Sequence, residues 1–191
     1  MTIARTTPRA RAGFTLVELL VIVAVIGILT RFATSRMLGE SFRLATQARQ
    51  VATTLAASQR LAVSLQNDVR VTFDAAQRRL EVHEDRDNDG VRDGGERVRF
   101  WPLDENMLLD KGGAPDLNLQ AGGAAATAIA FTGNLLVFHR DGSAGESGAV
   151  FVRSAKEPAT TTHVRAVEIV RVGGRPYSWV VTQAGTWERA Q

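Results

Sequence analysis

The segment DRDNDGVRDGGE, Asp85 to Glu96, puts carboxylates at its first, third, fifth, ninth and twelfth positions and a glycine at its sixth. This is the spacing of a calcium loop, D-x-D-x-D-G-x5-E. Calcium gathers about six to eight oxygen ligands. Asp85, Asp87 and Asp89 alternate along the chain and can converge, Gly90 permits the sharp turn, and Glu96 can close the shell with both oxygens. The carbonyl of Val91 and the carboxylate of Asp93, directly or through water, fill the remaining positions. A second reading needs no ion. Asn-Asp-Gly and Asp-Gly-Gly are turn formers, so the same residues make an acidic hairpin tip. The flanking segments alternate like strands, which excludes an EF-hand in either case. Calcium is the one cofactor suggested by the residues.

No other cluster offers chemistry. His83, His139 and His163 are scattered, without an H-x3-H or Glu-x-x-His spacing, and Ser143 and Ser147 lack a G-x-S-x-G setting. There is no cysteine, so disulfides, thiolate catalysis and cysteine zinc sites are excluded. The residues point away from an enzyme. One further carboxylate is out of place: Glu18 lies inside the apolar run of RAGFTLVELLVIVAVIGILTR, residues 11–31. An ionised carboxylate near a bilayer centre costs about 2.5–3.5 kcal/mol on lenient scales, and a paired cation makes it tolerable.

The elements around Glu18 explain its setting. Residues 1–13 are polar and basic, with Arg5, Arg9 and Arg11 and no acid. These three account for the whole formal charge of +3, because the rest of the chain holds equal numbers of bases and acids. Net charge therefore gives no case for nucleic-acid binding. Phe14–Leu29 is apolar apart from Thr15, Glu18 and Gly27. The run is shorter than the ~20 residues of a usual spanning helix and close to a secretory signal, yet no small-x-small cleavage site follows. The helical pattern instead continues through Leu38, Phe42, Ala45, Ala48, Ala52, Leu55, Ala62 and Leu65, with no proline from residue 10 to 101. One helix over about 15–66 is predicted, roughly 75 Å long. Its first half is apolar on all sides and its second half amphipathic.

GFTLVELLVIVAVIGIL resembles the class III signal of type IV pilins and type II secretion pseudopilins. The resemblance implies that a prepilin peptidase cuts between Gly13 and Phe14 and methylates the new Phe14 amine. It also implies a role for Glu18, which neutralises the N-terminal amine of a neighbouring subunit during assembly. The apolar half would then be a single transmembrane segment in the inner membrane, with the remaining chain in the periplasm.

After Asn67 short alternating runs take over. Strands are predicted at 69–74, 78–84, 97–103, 127–132, 134–141, 148–154, 163–172 and 177–183, and a long mobile loop at 110–126. The expected fold is α+β and pilin-like, with a long N-terminal helix packed on a mostly antiparallel β domain. The expected division is a leader at 1–13, the helix at 14–66 and a β-rich domain at 67–191. FHRDGSAGESGAVFV, residues 138–152, is similar to an element of the GspH/FimT family. That resemblance favours a minor pseudopilin, a structural subunit of the type II secretion pseudopilus. The alternative within the family is a FimT-like minor type IV pilin serving pilus assembly or DNA uptake. The implied partners are other pilins or pseudopilins. Some competence members carry a Gly-Arg-x-Arg motif that contacts DNA. Here Gly174-Arg175 is followed by Pro176-Tyr177 and Gly185 by Thr186-Trp187, so the second arginine is missing from both. Arg165, Arg171, Arg175 and Arg189 remain as a patch that could meet DNA or simply face water.

Overall fold

The computed structural model describes residues 16–28 and 39–190 in full, and residues 29–38 as backbone. A single helix, α1, runs Leu16–Leu65, as the unbroken pattern and lack of proline predicted. The chain divides into two units at Gly39–Glu40, inside this helix. In the first unit the side chains from Leu16 to Ile28 are exposed on every side. Among the described residues, no helix is long and apolar enough to cross a membrane.

The second unit holds the rest of α1 and eleven strands. They are β1 (Asp68–Asp74), β2 (Arg79–Asp85), β3 (Val98–Pro102), β4 (Met107–Leu109), β5 (Leu117–Asn118) and β6 (Ala124–Ala125), then β7 (Leu135–Phe138), β8 (Gly148–Ser154), β9 (Val164–Ile169), β10 (Pro176–Val181) and β11 (Trp187–Arg189). One sheet has the order β3-β2-β1-β7, a second β11-β10-β9-β8-β4, and β5 pairs with β6. Every pairing is antiparallel. The expected α+β arrangement, a helix packed on antiparallel sheets, is what the chain forms.

The buried stripe of α1 is Leu44, Ala48, Val51, Leu55 and Ala62, at steps of three, four and seven. It differs from the predicted stripe, since Phe42 is 72% exposed and Leu65 is also exposed. The alanines at 45, 48 and 52 fit either face, and burial falls on the one that also carries Leu44 and Val51. These side chains share a core with Val69, Val71 and Phe73 of β1, Leu136 and Phe138 of β7, and Val150, Val152, Val167 and Ile169 of the second sheet. Gln59 of α1 fixes two distant turns, donating from Nε2 to the carbonyls of Gly142 at 2.9 Å and Gly173 at 2.5 Å.

The second sheet is covered on its other face too. Ala149, Phe151, Val164 and Ala166 pack there against Leu117, Ala125, Trp179 and Trp187. Strand β8 is therefore buried at every residue, which is why GAVFVRS reads as a run rather than an alternation. This corrects the mobile loop predicted at 110–126. Leu117 and Ala125 anchor it as the β5–β6 hairpin, and Gln120 donates to the buried carboxylate of Glu168 from its backbone N–H at 2.6 Å and its amide at 3.1 Å. The strand predicted at 127–132 is reduced to one bridge, Ile129 to Val150, before a 3-10 turn at Thr132–Asn134. The chain approaches itself closely here. A Cβ on Gly148 would sit 2.2 Å from the Ala130 carbonyl oxygen.

Candidate functional site

Two places carry residues singled out by the sequence. The first is the helix start. Glu18 lies in the first turn of α1, exposed among exposed apolar neighbours such as Leu16, Leu19 and Val23. A carboxylate in a first turn also meets the positive end of the helix dipole. Gly13 and Phe14 lie outside the described residues, as does the leader at 1–13.

The second is the acidic loop between β2 and β3. Strand β2 pairs with β1 in a register that sets Asp85 opposite Asp68 and ends the ladder there. Asp85 is fully buried, whereas Asp87 and Asp89 are exposed. The loop folds over these carboxylates. The Gly90 N–H donates to Asp85 Oδ2 at 3.0 Å, Asp89 N–H to Asp87 Oδ1 at 3.3 Å, and Val91 N–H to Asp89 Oδ1 at 2.7 Å. Gly90 has φ of +80°, a conformation that glycine adopts without strain. Asn88 Oδ1 accepts from the Asp68 N–H at 2.7 Å and ties the loop to the start of β1.

Asp85, Asp87 and Asp89 are thus brought together, each offering an oxygen within 4.8 Å of the others. Glu96 is not part of that group. Its Oε1 accepts from the Arg86 N–H at 2.7 Å, and its Oε2 from the Asp93 N–H at 3.1 Å and faces His83 Nε2 at 2.5 Å. The Asp93 N–H, His83 and the Arg86 N–H lower its pKa from 4.5 to about 2. Glu96 pins the base of the loop. Asp93 is exposed and contributes its backbone N–H there, and Val91 likewise donates its N–H within the loop.

Sequence reasoning missed Arg70 and His83. Arg70 of β1 places Nη1 3.3 Å from Asp85 Oδ2. Each sits on a strand beside the loop, and the strand pairing was the available signal: Arg70 pairs with His83 itself.

Of the four arginines singled out by the sequence, Arg165 and Arg189 line one cavity beside α1 together with Arg49. Arg165 pairs with Val180 across β9 and β10, while Arg189 pairs with Trp179 across β10 and β11. Arg189 stacks over the Tyr177 ring, 4.0 Å from its centroid. Arg165 is half-buried, and burial pushes its guanidinium pKa down.

Residues 8–30 match the family model of the prokaryotic N-terminal methylation motif, a span that includes Gly13, Phe14 and Glu18. The N-terminus carries a prokaryotic methylation motif. No curated protein matches the chain. Among solved structures, the chain is similar to the minor pseudopilin EpsH from the Type 2 Secretion System of Vibrio cholerae, at 12% identity and a TM-score of 0.35. That similarity covers 78% of this chain and 96% of the other.

Proposed function

We propose that this chain is a minor pseudopilin, a structural subunit of the type II secretion pseudopilus. The observation that carries the reading is the methylation motif at residues 8–30, which overlaps the start of a helix whose first described turns are apolar on every side apart from Glu18. Prepilin peptidase cuts after Gly13 and methylates Phe14. The apolar segment holds the subunit in the inner membrane, and the β domain stands in the periplasm. Glu18, five residues into the mature chain, pairs with the N-terminal amine of a neighbouring pilin, which offsets the cost of holding a carboxylate in lipid. The subunit acts by assembly, not by catalysis.

A FimT-like minor pilin in DNA uptake is the second reading, and the missing second arginine after Gly174-Arg175 and after Gly185 weighs against it. Two measurements test the proposal. Mass spectrometry of the membrane-extracted protein should give a chain that starts at methylated Phe14; a start beyond Arg31 would end the pilin reading. Deletion should lower secretion while leaving DNA uptake intact. The reverse result would move the protein to the uptake pilus.

A further inference from the structure

We propose that the turn after β2 is a calcium site built on Asp85, Asp87 and Asp89. Converging acids alone do not call for an ion, because exposed carboxylates can be solvated. Asp85 is different. It is 0% exposed, and its Oδ1 has no hydrogen-bond partner. Its other oxygen, Oδ2, is held by the Gly90 N–H and by Arg70. Arg70 and the Gly90 N–H offset part of the desolvation cost of this carboxylate, and the unmatched Oδ1 leaves part of it unmet.

A cation beside this carboxylate would satisfy it. Asp85 belongs to a set of three carboxylates, each offering one oxygen within 4.8 Å of the others, as ligands around one ion at about 2.3–2.6 Å must. Arg70 supplies one positive charge to the three negative ones and is already engaged at Oδ2. Two negative charges remain, which a divalent cation balances. The donors are all hard oxygens, without histidine or sulfur, so the choice lies among alkaline-earth ions rather than zinc or copper. Three carboxylates on a pliant glycine-bearing turn suit calcium better than magnesium, which keeps its waters and demands a strict octahedron.

Glu96 stays outside the shell, held by His83 and two backbone N–H groups. Water and backbone carbonyls of the loop complete the coordination. Bound calcium would fasten the β2–β3 connection to the start of β1, where Asn88 already meets Asp68. The site does not depend on the pseudopilin reading, and it can fail or stand separately.

The test uses the full chain in detergent. Its melting temperature is measured with chelator, with millimolar calcium and with millimolar magnesium, and the calcium stoichiometry is measured by calorimetry. One ion should bind per chain, calcium should raise the melting temperature by several degrees, and magnesium should do less. Asp87→Ala, at an exposed position, should melt like the wild type in chelator and lose the calcium shift. Asp116→Ala, an acid paired with Lys111 elsewhere, should keep the shift. Equal melts with and without calcium would overturn the site. A full shift retained in Asp87→Ala would do the same, because the ion would then sit elsewhere.

Discussion

Two substitutions that remove bulk from the same helix should behave in opposite ways. Leu55 is 0% exposed in a core shared by α1 and both large sheets, whereas Phe42, on the same helix, is 72% exposed. Leu55→Ala deletes part of a buried side chain and leaves a cavity where both sheets meet the helix. Such changes cost about 2–5 kcal/mol, depending on how far the site collapses. Two sheets and a helix limit collapse, so a value of about 3 kcal/mol is expected. For a chain of this size each kcal/mol moves Tm by about 2–4 °C, which gives a drop of about 6–12 °C. Phe42→Ala removes a larger side chain from the solvent-facing side and should stay within about 0.5 kcal/mol. Thermal and urea melts of both variants, followed by circular dichroism in one detergent, make the comparison. A Phe42→Ala loss equal to that of Leu55→Ala would refute the assignment of the buried face. So would a Leu55→Ala variant that melts with the wild type.

The pKa of Glu96 lies below its unfolded value, so its stabilising effect is complete above pH 4.5 and is lost as pH falls towards 2. Wild type should therefore destabilise more steeply than Glu96→Gln across that window, and parallel melts for the two would contradict the bonding described for the loop base. Gly148→Ala should destabilise by about 1–3 kcal/mol, since its Cβ meets backbone at Ala130, while Gly94→Ala meets nothing within 4 Å and should be tolerated. Equal unfolding midpoints for these two would count against the close strand approach. Glu18→Ala should be processed and inserted normally yet recover fewer partner pilins on co-purification; wild-type recovery would remove its assembly role.

The helix was legible because its pattern runs unbroken from the apolar segment to Leu65 without proline. Its buried face was not, because alanines at 45, 48 and 52 score alike on either side, and only the sheets select Leu44 and Val51. Strand β8 was readable at its observed bounds, being apolar from Gly148 to Val152. Strands β4 and β11 have three residues each and owe their existence to neighbouring strands, so no local pattern announces them. The β5–β6 hairpin hid behind its glycines, and what orders it is burial of Leu117 and Ala125. In the acidic loop the period-two aspartates could be read directly, since alternate positions fold to one side of a tight turn. The fate of Glu96 could not, because it is decided by His83 on the strand before the loop.

The amide of Gln59 reaches two carbonyls separated from it by 83 and 114 positions in sequence. Neither bond forms until the helix is seated and both turns have arrived. A slip of one helical turn, about 5.4 Å, would bring Leu55 or Val63 to these carbonyls. Neither side chain has a hydrogen to give, and both bonds would be lost together. A single side chain thereby gauges the axial position of the helix and penalises any seating that is one turn out of step.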